Sequence, residues 1–217
     1  MIEFQHISHH YPGKPENLIL DDISLTISKG ECVGLTGPSG CGKSTLAKIG
    51  AGHVRPAAGK VLVNGRDLTC RPNREVFMIH QEPDLFPWQK VAKQVAFAMS
   101  KPDNRRVEQL LALVKLRGFE NFYPGQLSGG MKKRLALARA LAVDPELLIL
   151  DESFSSLDAT LKNELYEDLR RVWQSTGTTI LLITHQSADL ANLAHREIRL
   201  SAAKPTTISE TINLVRT

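Results

Sequence analysis

Eight of the nine consecutive residues Gly37-Pro38-Ser39-Gly40-Cys41-Gly42-Lys43-Ser44-Thr45, those from Gly37 to Ser44, match the phosphate-loop pattern G-x-x-x-x-G-K-[ST] in full. They lie between a short apolar run, 31–36, and a helical pattern that starts near Lys43. Gly37, Gly40 and Gly42 let the backbone turn so that several N–H groups face one point. The following helix adds roughly half a positive charge there. Lys43 is placed to reach the β- and γ-phosphates of a nucleotide, and Ser44 to offer its hydroxyl to Mg²⁺.

Further along, the apolar run 147–150 ends in Asp151-Glu152. Two acids at the mouth of a buried strand are costly unless a cation or water engages them. Asp151 suits the ordering of a Mg²⁺ shell, and Glu152 the polarisation of a water for in-line attack, or the capping of the next segment. His185 follows a second apolar run, 178–184. Its strand is expected beside that of Asp151, with the carboxyl ends aligned where α/β sheets bind ligands. Gln81 follows the strand-like run 76–80. A second glycine-rich stretch, Leu127-Ser128-Gly129-Gly130-Met131, opens another helix. By spacing alone Ser128 reads as a plain N-cap, and Gly129-Gly130 as exposed backbone donors.

The elements that must position these groups alternate between strand and helix, which predicts an α/β fold with a mainly parallel sheet. Segments 2–8 and 18–27 flank a turn-rich stretch, Tyr11 to Pro15, and are expected as antiparallel strands at an edge. Segment 60–64 is a strand closed by Asn64-Gly65, a hairpin signal. Helices are expected over 91–100, 103–116, 128–142 and 158–175. Segments 197–200 and 206–214 read as weaker edge strands. The helical stretch 88–143 interrupts the alternation and is expected to form a subdomain inserted into a single domain, 1–217, whose core is 1–87 and 144–217.

Bulk properties narrow the function. The chain has 217 residues, 42% of them hydrophobic and 23% charged, enough for one sizeable core. The net charge of +4 suits an anionic ligand but not nucleic acid, which calls for clustered basic residues with aromatics. The densest basic cluster, Lys132-Lys133-Arg134, is expected as a solvated helix face. Cys32, Cys41 and Cys70 show no metal-ligand spacing and read as free thiols in a reducing compartment. The start, Met1-Ile2-Glu3-Phe4-Gln5, shows no leader pattern. No apolar run approaches the roughly 18 residues of a membrane span, so spans would come from another chain.

Together these residues resemble the nucleotide-binding subunit of ATP-binding cassette (ABC) transporters, over nearly the whole chain and with every motif in order. Tyr11 matches the aromatic that stacks on adenine, Gly37 to Thr45 the Walker A loop, and Gln81 the Q-loop glutamine, a Mg²⁺ contact. Leu127 to Gly130 match the family signature, Leu147 to Glu152 the Walker B strand with its catalytic glutamate, Ser156-Leu157-Asp158 the D-loop, and His185 the switch histidine. The resemblance implies a phosphate-loop core with an antiparallel β edge, ATP and Mg²⁺ as ligands, and catalysis by Glu152, His185, Lys43 and Gln81. Ser128, Gly129 and Gly130 would then contact ATP held by a second ATPase subunit, in a head-to-tail sandwich.

Gln81-Glu82-Pro83-Asp84-Leu85-Phe86-Pro87-Trp88 resembles a run found in importers of nitrate, sulfonates and taurine. It implies work at the cytoplasmic face of the membrane with transmembrane permease subunits, and a solute-binding protein in the complex but not in direct contact. Leu85, Phe86 and Trp88 would line the groove for the permease. An exporter or lipid-transport ATPase would share the motor, and a soluble non-transport cassette is the remaining alternative. Ser153 stands where proline is usual, Ser156 where alanine is common, and Gln94 where this branch often has asparagine.

Overall fold

A computed structural model describes residues 1–11, 13, 18–153, 159–185, 190 and 193–214. The D-loop residues Ser156, Leu157 and Asp158, and part of the turn after Tyr11, lie outside the described residues.

Two sheets carry the fold. The first is antiparallel and contains β1 (Ile2–His9), β2 (Leu20–Ile27), β4 (Ala58–Val63) and β5 (Arg66–Asp67), in the order β2-β1-β4-β5. Asn64 and Gly65 turn the β4–β5 hairpin with φ of 50° and 77°, the left-handed values such a turn requires. The second sheet has the order β10-β9-β3-β8-β7-β6. Here β3 is Cys32–Thr36, β6 Val76–Ile79, β7 Leu147–Asp151, β8 Thr179–Ile183, β9 Arg196–Leu200 and β10 Ile208–Asn213. All neighbours pair in parallel except β10, which runs antiparallel to β9.

The three central strands, CVGLT, LLILD and TILLI, are buried at every position. They read as unbroken apolar runs because both faces of a parallel sheet are covered. Alternation then assigns each side chain to one of two cores. Cys32, Leu148, Leu150, Ile180 and Leu182 face the helical side. Val33, Leu35, Leu147, Ile149, Leu181 and Ile183 face the antiparallel sheet and α1 (Lys43–Gly50).

On the helical side, α2 (Val91–Ala98), α3 (Asn104–Leu113) and α4 (Gly129–Ala142) pack on one another, and α4 also meets α5 (Ala159–Thr176). Asp103 caps α3, its Oδ1 accepting from the backbone N–H groups of Arg105 and Arg106. A buried carboxylate ties this layer to the core. Asp168 on α5 is 1% exposed and meets Arg134 of α4 at 3.0 Å, Lys115 at 2.9 Å and Arg171 at 2.5 Å. Among the described residues no helix is long and apolar enough to cross a membrane.

Two expectations change. Segment 197–200 is not an edge strand, for it belongs to β9, which lies inside the sheet between β3 and β10. Its charges obscured this, and each has a partner. Glu197, 3% exposed, accepts from Thr36 Oγ1 at 2.5 Å, Arg196 pairs with Glu31 and Arg199 with Glu210. Nor is Lys132-Lys133-Arg134 a solvated face. Lys133 is 8% exposed and Arg134 is occupied by Asp168, because both project from α4 toward the core rather than away from it.

Candidate nucleotide site

The phosphate loop follows β3 directly and enters α1 at Gly42, the N-cap, whose φ is 102°. An added Cβ at Gly42 would lie 2.7 Å from Leu20 Cδ2, so both the turn and the packing require glycine. No side chain caps α1 and its first turn holds no acid, which leaves its N–H groups to an incoming anion. Cys41 is buried beneath the loop. Tyr11, Ile19, Ser39, Gly40, Gly42, Lys43, Ser44, Thr45 and Glu152 line one open hollow of about 460 Å³.

Within this chain the polar groups of the hollow bond to one another. Lys43 Nζ donates to the carbonyls of Gly37 at 2.8 Å and Pro38 at 2.9 Å. The ammonium thus holds the loop in its ring shape. Ser44 Oγ donates to Asp151 Oδ1 at 3.0 Å. The Tyr11 hydroxyl lies 3.0 Å from Thr45 Oγ1, while the tyrosine is 46% exposed beside the loop, where a base could stack.

The pairing of β7 with β8 sets the catalytic end. Asp151 stands opposite Ile183, and Glu152, the residue just past the end of β7, donates its N–H to the Ile183 carbonyl at 3.1 Å. Glu152 has φ 46°, a left-handed conformation uncommon for a non-glycine residue and one that tends to mark functional sites. Its Oε1 comes 3.6 Å from His185 Nδ1. So the structure brings Glu152, His185, Asp151, Ser44 and Lys43 to one end of the sheet. Gln81, two residues past β6, is exposed, and its carbonyl accepts from Lys133 Nζ at 2.8 Å.

Ser128, Gly129 and Gly130 are not among the described residues that line the hollow. Ser128 Oγ accepts from the Met131 N–H at 3.3 Å, so it does cap α4. The two glycines differ. A Cβ at Gly130 would meet Leu161 Cδ1 at 2.8 Å, so a larger residue there would have to displace that side chain, whereas one at Gly129 would point into open space.

Sequence reasoning missed two features. Lys133 was concealed by its basic neighbours, although its buried ammonium, pulled below its ordinary value by desolvation against the opposing charge of Glu82, sits among backbone carbonyls. Phe97 on α2 is 66% exposed and packs edge-on to Phe86, and Trp88, 71% exposed, also lies against that ring, with centroids 5.7 Å apart. An apolar residue on the outward face of α2 was the available signal. Leu85 packs partly against the helical core. Gln94 is fully buried and spans the turn, accepting from the Phe86 N–H and donating to the carbonyls of Phe86 and Gln89, each at 3.0 Å.

Fold and site together define a phosphate-loop nucleotide-binding protein. The family model described as "ABC transporter" matches residues 20–155, more than half of the chain. The aliphatic sulfonates import ATP-binding protein SsuB of Bacillus subtilis is 42% identical over 88% of this chain and 75% of its own. The taurine import ATP-binding protein TauB of Pseudomonas fluorescens is 40% identical over 99% and 82%. Among solved structures, the dimeric ATP-binding cassette MJ0796, in a post-hydrolysis state bound to ADP and Pi, superposes with a TM-score of 0.83 at 25% identity over 99% of both chains. The chain belongs to the ABC transporter family and is one of its ATP-hydrolysing cassettes.

Burial pushes the Asp151 carboxyl above its ordinary pKa; the bond from Ser44 opposes the rise and the charge of Glu152 adds to it. A carboxyl whose folded value stands above its unfolded one destabilises the fold when ionised. That penalty is absent below the unfolded value, sets in as pH rises through the folded value, and is complete above it. Asp151→Asn keeps an acceptor for Ser44 and removes the charge. We expect the nucleotide-free variant to be more stable than wild type at neutral pH, by about 1 kcal/mol in urea unfolding. The difference should shrink toward about pH 4. A variant less stable than wild type at neutral pH would contradict this account.

Proposed function

We propose that this chain is the motor of an importer for small organic anions of the sulfonate and taurine type. Two cassettes would act together at the cytoplasmic face of the membrane, with permease subunits supplying the spans and a separate solute-binding protein, not in contact with the cassette, supplying the cargo. SsuB and TauB, import proteins by name, support the direction and solute class. The observation that carries the hydrolytic reading is the convergence of Lys43, Ser44, Asp151, Glu152 and His185 at one end of the sheet.

The residues fit ATP with Mg²⁺. A triphosphate would take the N–H groups of residues 37–45 and draw Lys43 Nζ from the Gly37 and Pro38 carbonyls. Tyr11 would stack on the adenine. Ser44 Oγ and Asp151 Oδ1, hard oxygen donors 3.0 Å apart, together with the Gln81 side chain, suit a magnesium ion. Such an ion, when bound, neutralises charge on the phosphate oxygens. Glu152 accepts the proton of the attacking water, and His185 orients Glu152 and the γ-phosphate end of the site.

Three further placements support the transport reading. Ser128 and Gly129, exposed and away from the hollow, would complete the site of a second cassette, and the dimeric MJ0796 structures support that pairing. Residues 88–143 would form the inserted helical subdomain, since α2, α3 and α4 share one core. Trp88, Phe86 and Phe97 form an exposed aromatic patch of the kind that meets a protein partner.

Glu152→Gln is expected to bind ATP, to hydrolyse it about 10²–10³-fold more slowly, and to run as a dimer with ATP in size-exclusion chromatography; wild-type turnover would remove Glu152 from its role. Gly129→Ala adds a methyl group where this chain leaves space. It should keep the melting temperature and ATP binding of the monomer while abolishing hydrolysis at concentrations where wild type dimerises. Hydrolysis undiminished in this variant would rule out a partner contact at Gly129. Trp88→Ala should leave ATP binding unchanged and weaken association with the permease by about 30-fold, as loss of a buried aromatic anchor does. Equal recovery of wild type and variant on co-purified permease would exclude the patch as the docking site.

A further inference from the structure

Three segments of the site meet at one ammonium. Lys133 Nζ donates to the Gln81 carbonyl at 2.8 Å and also to the carbonyl of Ser153. Ser153, 4% exposed, in turn donates its Oγ to the Ile79 carbonyl at 3.0 Å. The ends of β6 and β7 are therefore joined twice, once by a serine hydroxyl and once by a lysine that comes from α4, the helix opened by Ser128 and Gly129. Two carbonyl dipoles aimed at the same point repel each other, and a cation between them turns that repulsion into attraction.

The residue before Ser153 is Glu152, whose left-handed φ of 46° is fixed on one side by the bond to the Ile183 carbonyl. Lys133 and Ser153 fix it on the other. A displacement of α4 relative to the sheet would pull on the Ser153 carbonyl, and through it on the backbone that carries Glu152. Displacing the segment after β6 acts through the same ammonium. Lys133 Nζ and Ser153 Oγ bond backbone carbonyls, and neither residue is among the described ones that line the nucleotide hollow, which sets them apart from Lys43, Ser44 and Glu152.

We propose that Lys133, seated with Ser153, is a positioning residue for hydrolysis. It sets Glu152 against the Gln81 segment and makes turnover depend on where the signature helix of the same chain stands. The proposal rests on Glu152 being the group that activates water.

The test uses the purified full chain, with ATP binding by titration calorimetry and steady-state hydrolysis read separately as kcat and KM. Lys133→Met keeps the stem and removes every donor. Its kcat is expected to fall about tenfold, with KM and the ATP dissociation constant each within about twofold of wild type. Lys133→Gln keeps a neutral donor for one carbonyl and should recover about threefold of that loss. Ser153→Ala should lower kcat less than Lys133→Met does. The double variant should fall below either single variant, because the serine hydroxyl and the lysine tie the same strand ends by separate bonds. Hydrogen exchange should rise in residues 79–85 and 151–153 while α3 stays protected.

Wild-type kcat in Lys133→Met would overturn the proposal. So would equal losses in Lys133→Met and Lys133→Gln that track a lowered melting temperature, which is the behaviour of a merely structural lysine. If Lys133→Met does not fold, Lys133→Gln and Ser153→Ala decide, and unchanged kcat in both overturns it. Glu152→Gln is the control for the underlying reading. If that variant turns over like wild type, the assignment of Glu152 fails first, whatever Lys133 does.

Discussion

The parallel ladder between β7 and β8 is the constraint on which the rest of the site depends. Leu147 to Asp151 pair in unbroken register with Thr179 to Ile183, and β3 pairs with β8 in the same sense. Both faces of these strands are buried, so a slip of one residue would exchange the side chains that fill the two cores. The ladder is thereby locked, and it ends where apolar residues give way to Asp151 and Glu152. Those acids are held at the rim by the packing of the residues behind them. Burial is also what raises the Asp151 carboxyl, so the packing that fixes the group also makes its charge costly in the absence of a counter-charge.

The Ser44 hydroxyl offsets part of that cost, and other polar groups of the hollow are likewise bonded within the chain. Ser44 bonds Asp151, Lys43 bonds the carbonyls of its own loop, and Tyr11 lies against Thr45. On the proposed nucleotide reading, binding would exchange these internal partners for phosphate and base rather than fill a set of bare donors. The free energy of binding is then a difference between two satisfied states. At the N-terminal end of α4 the bond seen among the described residues is the Ser128 cap. Its Gly129 faces open space, the arrangement expected of a surface shaped for something outside the chain.

Much of this was legible in the sequence because the groups concerned obey local rules. The phosphate loop is contiguous, and the central strands are apolar runs of the length a buried parallel strand requires. Gly42 and the Asn64-Gly65 turn announce their backbone conformations. What escaped notice depends on contacts across the fold. The β9 strand looked like an edge because Arg196, Glu197 and Arg199 are charged, and only the tertiary partners Glu31, Thr36 and Glu210 make its interior position possible. Lys133 sits between two other basic residues, and nothing in that run shows which of the three turns inward. Helix geometry alone gives neighbouring residues different faces, but the carbonyls that receive Lys133 come from positions 81 and 153, far away in the chain.

The departures from the family pattern gain a physical meaning from the same contacts. Proline at position 153 would have no side-chain donor, whereas Ser153 bonds the Ile79 carbonyl across to β6. Gln94, one methylene longer than asparagine, is long enough to bond both Phe86 and Gln89 from inside the fold. That buried amide holds the turn from which Trp88 projects into solvent, and Arg139 lies 4.8 Å from the ring of Phe86 in the same turn. The turn is therefore rigid at its base and exposed at its tip, the combination a docking surface needs if partner movement is to reach the hydrolytic centre. The segment between Gln81 and Trp88 is continuous with the joint made by Lys133. The chain from Trp88 back to Gln81, together with the Lys133 ammonium, thus connects the aromatic tip to the Ser153 carbonyl beside Glu152.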